Sequence, residues 1–412
     1  MFDVMLLQRY TKKRKEIQKR LFISSERLFT VKNVLHVRML LAGIVSILLC
    51  SNVMAEDDDF TVATLNVDGL PTSIWIIPSN PDGPGDDGTL AVSRYLQQKG
   101  YDILGVQEDF NYDDQLRSAL QNEYDYGLWQ GDIDLGDVNW LKFWDTKFET
   151  DGLRVFWRKQ HQLEHEKAIP WTDSYGKFDH CWDDMVTKGF RHCEMTLSSG
   201  LRIVVYDMHM DASEESDEEN GDDGGDKEAR CSQWHQLKDY VMARLDERPV
   251  ILMGDMNSLY PRDSIKRMFI DPINATGHHF VSDAWVEHDL GGQYPEYSGS
   301  SRKVANENGE VLDKILYINP LQGKRLQLKS YVVGYDYVWD DGSPMGDHFP
   351  VSARFGIVDD QETAISQPQE GQLSRQIYTV DGRQQTLLQK GFNIVRQADG
   401  TIKKVIRKWI GR

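Results

Sequence analysis

The chain has 412 residues, enough for one large domain or two ordinary ones whose core closes without covalent staples. Its formal net charge is −18, and its four cysteines show no metal-binding spacing. No cysteine-based metal module is therefore indicated, and a surface that grips nucleic acid through cationic contacts is disfavoured, although nuclease activity is not forbidden.

The first 38 residues carry ten Lys/Arg against three Asp/Glu, and the segment Met39–Ala55, MLLAGIVSILLCSNVMA, has no charge. It is short for a bilayer span and ends in Val53-Met54-Ala55, with small residues where a signal peptidase reads. We expect residues 1–55 to be a basic leader and signal peptide, and hence a secreted or cell-surface protein. Cleavage leaves Cys181, Cys193 and Cys231, for which three pairings are open. Residues 56–372 then hold 28 Lys/Arg against 60 Asp/Glu, a net of −32.

Residues 56–358 read as one domain. FTVATLNVDGL is a strand that breaks into Gly69 and Pro71, followed by a Gly/Pro/Asp loop and a helix, TLAVSRYLQQKG, closed by Gly100. DILGVQED follows as a buried strand ending in acid. The pattern recurs later, where Trp234, Leu237, Val241 and Leu245 fall at helical spacing before the strand VILMGDMNS. In an extended strand Asp255 and Asn257 share a face, so a carboxylate and an amide are expected to point together out of its end. Asp211–Arg230, DASEESDEENGDDGGDKEAR, reads as a solvated acidic insertion, with a calcium site as the alternative. Residues 359–372 form a polar linker. Residues 373–412 form a small β module with turns at Asp381-Gly382 and Asp399-Gly400. The alternation of helix and strand, with polar residues at strand ends, implies a layered α/β sandwich.

Those polar residues are Asn66, Glu108, His209, Asp255, Asn257, Asp313 and the pair Asp347-His348. Each alone is explained by a turn, a cap or a satisfied core histidine. Together, in six segments, they suit phosphoester hydrolysis. Glu108 with Asn66 offers oxygen to a hard divalent cation, and a histidine held by a carboxylate, His348 with Asp313, offers a base for water.

The segments LNVDGLP, GVQED, YDMHMDA, ILMGDMNS, LDKILYI and GDHFPV resemble, in order and spacing, the motifs of the endonuclease/exonuclease/phosphatase superfamily, the phosphodiesterases of the pancreatic deoxyribonuclease fold. The resemblance implies a four-layered α/β sandwich with one active site at the strand ends and a bound Mg²⁺, with Mn²⁺ or Ca²⁺ as substitutes. It also implies the roles. Glu108, Asn66 and Asp347 would form the metal site, with His348 the base oriented by Asp313. His209 would be a cationic donor to phosphoryl oxygens, and Asp255 and Asn257 would position nucleophile and phosphate. Two departures are Gly346, where a Ser is usual, and Met208 before His209.

DGLRVFWRK and DDMVTKGFRHCEMTL are similar to the bacterial neutral sphingomyelinase branch, and the Arg-x-x-Gln of RCSQWHQL fits it. Lys188 would then face the phosphate; as a bare sequence position it is equally a surface cation before Gly189. The expected substrate is a phosphoester, with membrane phospholipid ahead of nucleic acid, and Trp75, Ile76 and Ile77 form an apolar cluster that suits contact with a lipid surface or, equally, packing in the core. A secreted nuclease, an inositol-phosphate phosphatase and a noncatalytic binding module are the competing readings. A monomer is expected. The terminal segments IYTVDGR and KGFNIVRQADGTIKKVI resemble Bacteroidetes sorting domains, which implies a partner in the secretion machinery.

Overall fold

The computed structural model describes residues 59–71, 73–74, 77–78, 80, 83–133, 147–176, 183–213, 225–298 and 309–359, together with the strands of a C-terminal sheet. The expected leader and signal peptide, Trp75, Ile76, Cys181, residues 214–224 of the acidic run and residues 360–372 of the linker lie outside them.

Two six-stranded sheets carry the architecture. The first runs in the order β13 (Lys324–Val333), β14 (Val351–Asp359), β1 (Phe60–Asn66), β4 (Ile103–Gln107), β6 (Arg154–Arg158) and β5 (Tyr124–Tyr126). The second runs β11 (His279–Asp283), β12 (Asp313–Pro320), β10 (Val250–Asp255), β9 (Arg202–His209), β8 (Gly189–Thr196) and β7 (Gln162–Pro170). Each sheet has one parallel pair at its centre, β1 with β4 and β9 with β10, and antiparallel pairs outward.

The central strands are buried on both faces, so their sequences run apolar without alternation. Ala63, Leu65, Leu104, Val106 and Phe156 pack in one cluster with residues of helices α1 (Gly85–Lys99) and α2 (Asp113–Leu120). Trp234, Leu237 and Val241 of α3 (Gly225–Met242) pack in another with the second sheet. The inward faces of the two sheets meet between these layers, which gives the α/β/β/α sandwich that the sequence implies. The short helices α4 (Tyr260–Asp263), α5 (Asp271–Asn274) and α6 (Ala284–Asp289), with a π-helical turn at Lys266–Ile270, complete the second outer layer.

Two helices begin earlier than their apolar spacing predicts. α1 starts at Gly85 inside the expected loop, where Pro84 precedes it and Asp86 and Asp87 complement its positive end; it closes at Gly100, φ 67°, as expected. α3 starts at Gly225, so the last residues of the acidic run are helical, with Asp226, Ala229 and Arg230 buried. No helix among the described residues is long and apolar enough to cross a membrane. Beyond the sandwich are a two-stranded ribbon, β2 (Ser73–Ile74) with β3 (Ile77–Pro78), and a C-terminal sheet in the order β16 (Gln384–Gln385), β15 (Gln376–Tyr378), β17 (Gly391–Arg396), β18 (Ile402–Arg407).

Candidate active site

The parallel centres of both sheets end at the same place. In the second sheet, Asp255 of β10 stands opposite His209 of β9 on one side and Asp313 of β12 on the other, so strand register alone lines up three of the expected residues. In the first sheet Asn66 pairs in register with Gln107, and Glu108 follows directly. The inward faces of the sheets bring these two rows together: Asn66 Nδ2 lies 2.8 Å from Glu108 Oε1 and 3.2 Å from Asp255 Oδ2.

Both strand ends turn by the same device. Asp68 donates its backbone N–H to Asn66 Oδ1 at 3.0 Å, and Asn257 donates its own to Asp255 Oδ1 at 3.0 Å. The third residue of each turn is left-handed, φ 52° at Asp68 and 44° at Asn257. Asn257 therefore does not share an extended face with Asp255, as the sequence spacing predicts; it reaches the site through the turn, with its amide donated to the Met210 carbonyl at 3.1 Å. Glu108 is left-handed as well, φ 59°, so three of the four non-glycine residues with positive φ among the described residues sit here, where strain is tolerated because the surroundings fix it. Gly69 is required for close approach, since any Cβ there would strike the Glu108 carbonyl oxygen.

Asp255 Oδ2 is the hub, 3.6 Å from His348 Nε2 and 3.6 Å from His209 Nε2. Although burial acts against ionisation, the two histidines, the Asn257 N–H and Asn66 hold the Asp255 carboxylate below its usual range. His348 Nδ1 meets Asp313 Oδ2 at 2.7 Å. Burial alone would push the His348 imidazole down; Asp313, Asp255 and Asp347 together hold it well above the ordinary histidine value. Asp255, Asp313 and His348 also offer ligand atoms within 4.8 Å of one another, but Asp313 Oδ2 is engaged by the imidazole, and a hydrogen-bonded pair of this kind handles protons.

The expected cationic His209 is not what the site favours. Burial first, and then the neighbouring Lys188 and His348, push its imidazole well below the ordinary value. The cation is Lys188. Its Nζ lies 3.1 Å from His209 Nε2 and forms a buried ion pair with Asp183. Against burial, Asp183 and Glu108 hold the Lys188 ammonium above its usual value, so it donates and His209 accepts. Lys188 is thus a site residue and not a surface cation. Trp171 Nε1 fixes the His209 carbonyl at 2.7 Å.

A third group is acidic. Burial, and then Asp347, push Asp68 up to about 6. Glu108 is pushed up to about 7, by burial first, with Asp347 and Asp68 adding to it and Lys188 opposing. Asp68, Glu108 and Asp347 therefore lie close enough to feel one another's charge, with the Asn66 amide on Glu108. The set is oxygen-only and short of positive charge, which fits a hard divalent cation. Asp347 is exposed, and Asp68 is steadied by Asn80 Nδ2 at 2.6 Å.

Sequence reasoning alone misses Asp68 and Asp183 as site residues. Asp68 had a signal, the Asn-Val-Asp spacing that repeats Asp-Met-Asn at the other strand end. Asp183 comes from a loop, and its one signal is its place at the head of DDMVTKGFRHCEMTL. The Arg-x-x-Gln of α3 is structural: Arg230 Nη1 holds the Asp211 carbonyl at 3.2 Å and Gln233 Oε1 accepts from the Asp211 N–H at 2.9 Å, clamping the backbone just after His209. Cys193 and Cys231 carry free thiols, so neither supplies a disulfide.

The sequence matches the model of the Endonuclease/Exonuclease/phosphatase family over residues 63–320. No curated protein matches it. Among solved structures, it is similar to D. rerio TDP2 complexed with single strand DNA product, at 16% identity and TM-score 0.47 over 73% of this chain and 100% of that one. An endonuclease/exonuclease/phosphatase family protein from Bacteroides thetaiotaomicron gives 18% identity and TM-score 0.47, covering 74% and 96%. A mutant beta toxin from Staphylococcus aureus with bound magnesium ions gives 16% and 0.43, covering 72% and 99%.

Proposed function

The chain belongs to the endonuclease/exonuclease/phosphatase family of metal-dependent phosphoester hydrolases, and from that premise we propose that it is a phosphodiesterase that cleaves choline-type phospholipid headgroups at a membrane surface, in the manner of a neutral sphingomyelinase or phospholipase C.

Glu108, with Asp68 and Asp347 beside it and Asn66 steadying its Oε1, would hold a Mg²⁺ ion. When bound, that ion neutralises charge on a non-bridging phosphate oxygen. The protein's own groups do the rest. Asp255 and His348 flank the place for the attacking water, whose proton passes to His348 Nε2 as its oxygen bonds to phosphorus and the ester oxygen departs with the electron pair of the broken bond. Asp313, on Nδ1, fixes the tautomer and stabilises the imidazolium. Lys188, held by Asp183 and His209, and the Asn257 amide meet the charge that develops on the phosphoryl oxygens.

One observation carries the choice of lipid. The β13–β14 connection that delivers Asp347 and His348 also presents Tyr335, 62% exposed, and Trp339, 36% exposed, and Tyr335 rests edge-on against Phe349, the residue after His348, at 5.2 Å between ring centroids. Apolar surface beside the base, with a net charge of −32 over residues 56–372, suits a zwitterionic interface better than a polyanion. Replacing Tyr335 and Trp339 together with Ser should lower hydrolysis of sphingomyelin vesicles about tenfold or more, since each buried aromatic contributes roughly 1.5–3 kcal/mol. Turnover of a soluble short-chain substrate should hold. An equal loss on both substrates would count against an interfacial role.

The uncharged segment before Ala55 supports export, and the pairing of strands β15–β18 with one another supports reading the C-terminal segment as a small β module for sorting or surface attachment. A truncation at residue 372 that is still released and attached like the full chain would contradict the sorting role.

A further inference from the structure

Directly beneath the site, one rung deeper between the sheets, lies a polar bridge. Gln107, the residue before Glu108, donates its Nε2 to Asp207 Oδ1 at 2.5 Å, and accepts at Oε1 from Thr64 Oγ1 at 3.1 Å. Asp207 stands two residues before His209 on β9, and so on the same inward face. Thr64 stands two residues before Asn66 on β1 in the same way. The rung that binds the sheets together thus repeats, one step down, the rung that carries the chemistry.

Every part of this bridge is buried: Thr64, Gln107 and Asp207 are each 0% exposed. The packing leaves room for it, because a side chain at Gly105, across from Asp207, would run into Asp207 Oδ1. A polar bridge in a core contributes little net stability compared with apolar packing of the same volume, so its presence calls for another reason. Apolar side chains would let the two sheets slide; a directional hydrogen bond fixes one register between them.

We propose that Gln107 and Asp207 are positioning residues, whose bridge locks the two sheets in register and thereby sets the distance across the site between Glu108 and His209. The inference rests on the reading of the site given above. It extends that reading from the groups that touch the phosphate to the pair that holds them apart. Burial, opposed by Gln107 and Arg191, pushes the Asp207 carboxyl well above its usual range; an amide at this position reproduces its shape and keeps an oxygen to accept from Gln107.

The test uses the full chain with Mg²⁺ and bis(p-nitrophenyl) phosphate, a general phosphodiester probe that does not depend on the lipid assignment. Wild-type turnover of the probe establishes the site itself, and its absence would overturn that reading apart from this one. Asp207→Asn, which keeps the acceptor for Gln107, should stay within about twofold of wild type. Asp207→Leu and Gln107→Leu should each lower kcat by about 10–100-fold with little change in KM, and weaken Mg²⁺ binding, measured calorimetrically without substrate, in the same range. The double variant should be no worse than the worse single. Val205→Ala, which opens a cavity on the same face of β9 one step further from the site, controls for softening of the core. It should lower Tm while leaving kcat unchanged. The proposal is overturned if Asp207→Leu, folded by circular dichroism, keeps wild-type kcat and Mg²⁺ affinity, if Asp207→Asn fails as badly as Asp207→Leu, or if Val205→Ala at equal loss of Tm loses as much kcat.

Discussion

His348 Nδ1 lies 2.7 Å from Asp313 Oδ2 while its Nε2 faces Asp255 Oδ2 at 3.6 Å, so one imidazole is held between two carboxylates. These charges and Asp347 raise it well above the ordinary histidine value against the effect of burial. A base must be neutral, so kcat/KM should fall as pH drops, with its acid limb above pH 6.5. Asp313→Asn removes negative charge, lowers the His348 pKa and should move that limb to lower pH while also lowering the plateau. His348→Ala should cost about 10²–10⁴-fold. An acid limb that Asp313→Asn leaves in place would show that another group titrates.

The cluster of Asp68, near 6, and Glu108, near 7, predicts that a cation and protons compete. A divalent ion favours the charged carboxylates, so binding near pH 6.5 should release protons, visible as a calorimetric enthalpy that varies with buffer, and apparent affinity should rise with pH. These folded pKa values lie above the unfolded ones. Without the ion, the two groups therefore cost stability above their unfolded values, and the protein gains stability as pH falls through about 7 and then 6. Mg²⁺ at about a hundred times its Kd should add roughly 2.7 kcal/mol to stability. Glu108→Gln should lose that gain together with activity, and stabilisation undiminished in Glu108→Gln would place the ion elsewhere.

Lys188 and Asp183 are a buried ion pair next to the site, so removing one partner strands the other. Lys188→Met should lower kcat about 10²–10³-fold. It should also destabilise by about 3–5 kcal/mol. Adding Asp183→Asn should recover much of the stability and none of the rate. Recovery of rate in the double variant would mean that Lys188 only neutralises Asp183.

Gly346 stands where the superfamily resemblance leads one to expect Ser. Its surroundings do not demand glycine: a Cβ there would lie 3.7 Å from Tyr337 Cε1 and 4.0 Å from Asp68 Cβ, ordinary contacts. Gly346→Ser should fold with stability within about 0.5 kcal/mol of wild type and should not lower kcat. A loss of Mg²⁺ affinity would show that the Asp68 side of the site needs the space.

Much of this site was legible because strand register does the assembling. Asn66, Glu108, His209, Asp255 and Asp313 all stand at ends of apolar runs, and pairing of β9, β10 and β12 then leaves His209, Asp255 and Asp313 little freedom. What the sequence hid depends on turns and burial. Asn257 reads as an extended strand residue, but the Asx turn at Asp255 sends it to Met210. His209 reads as a cation until Lys188, from a loop, takes that charge beside it. The acidic run reads as uniformly solvated because periodicity is invisible in so short a piece of it, yet Asp211 and Asp226 at its borders are buried and burial, with Asp183 adding to it, pushes Asp211 up to about 9.

The substrate claim is tested most directly by presenting purified protein, at fixed Mg²⁺, with sphingomyelin and phosphatidylcholine vesicles, phosphoinositides and plasmid DNA, at low and high monovalent salt, with an EDTA control. Phosphocholine release should depend on Mg²⁺ and change little with salt, with the plasmid left intact, because a net charge of −32 over residues 56–372 disfavours the cationic grip that a polyanion needs. Rapid, salt-sensitive cleavage of the plasmid with sphingomyelin and phosphatidylcholine untouched would contradict it and assign the same catalytic groups to a nuclease.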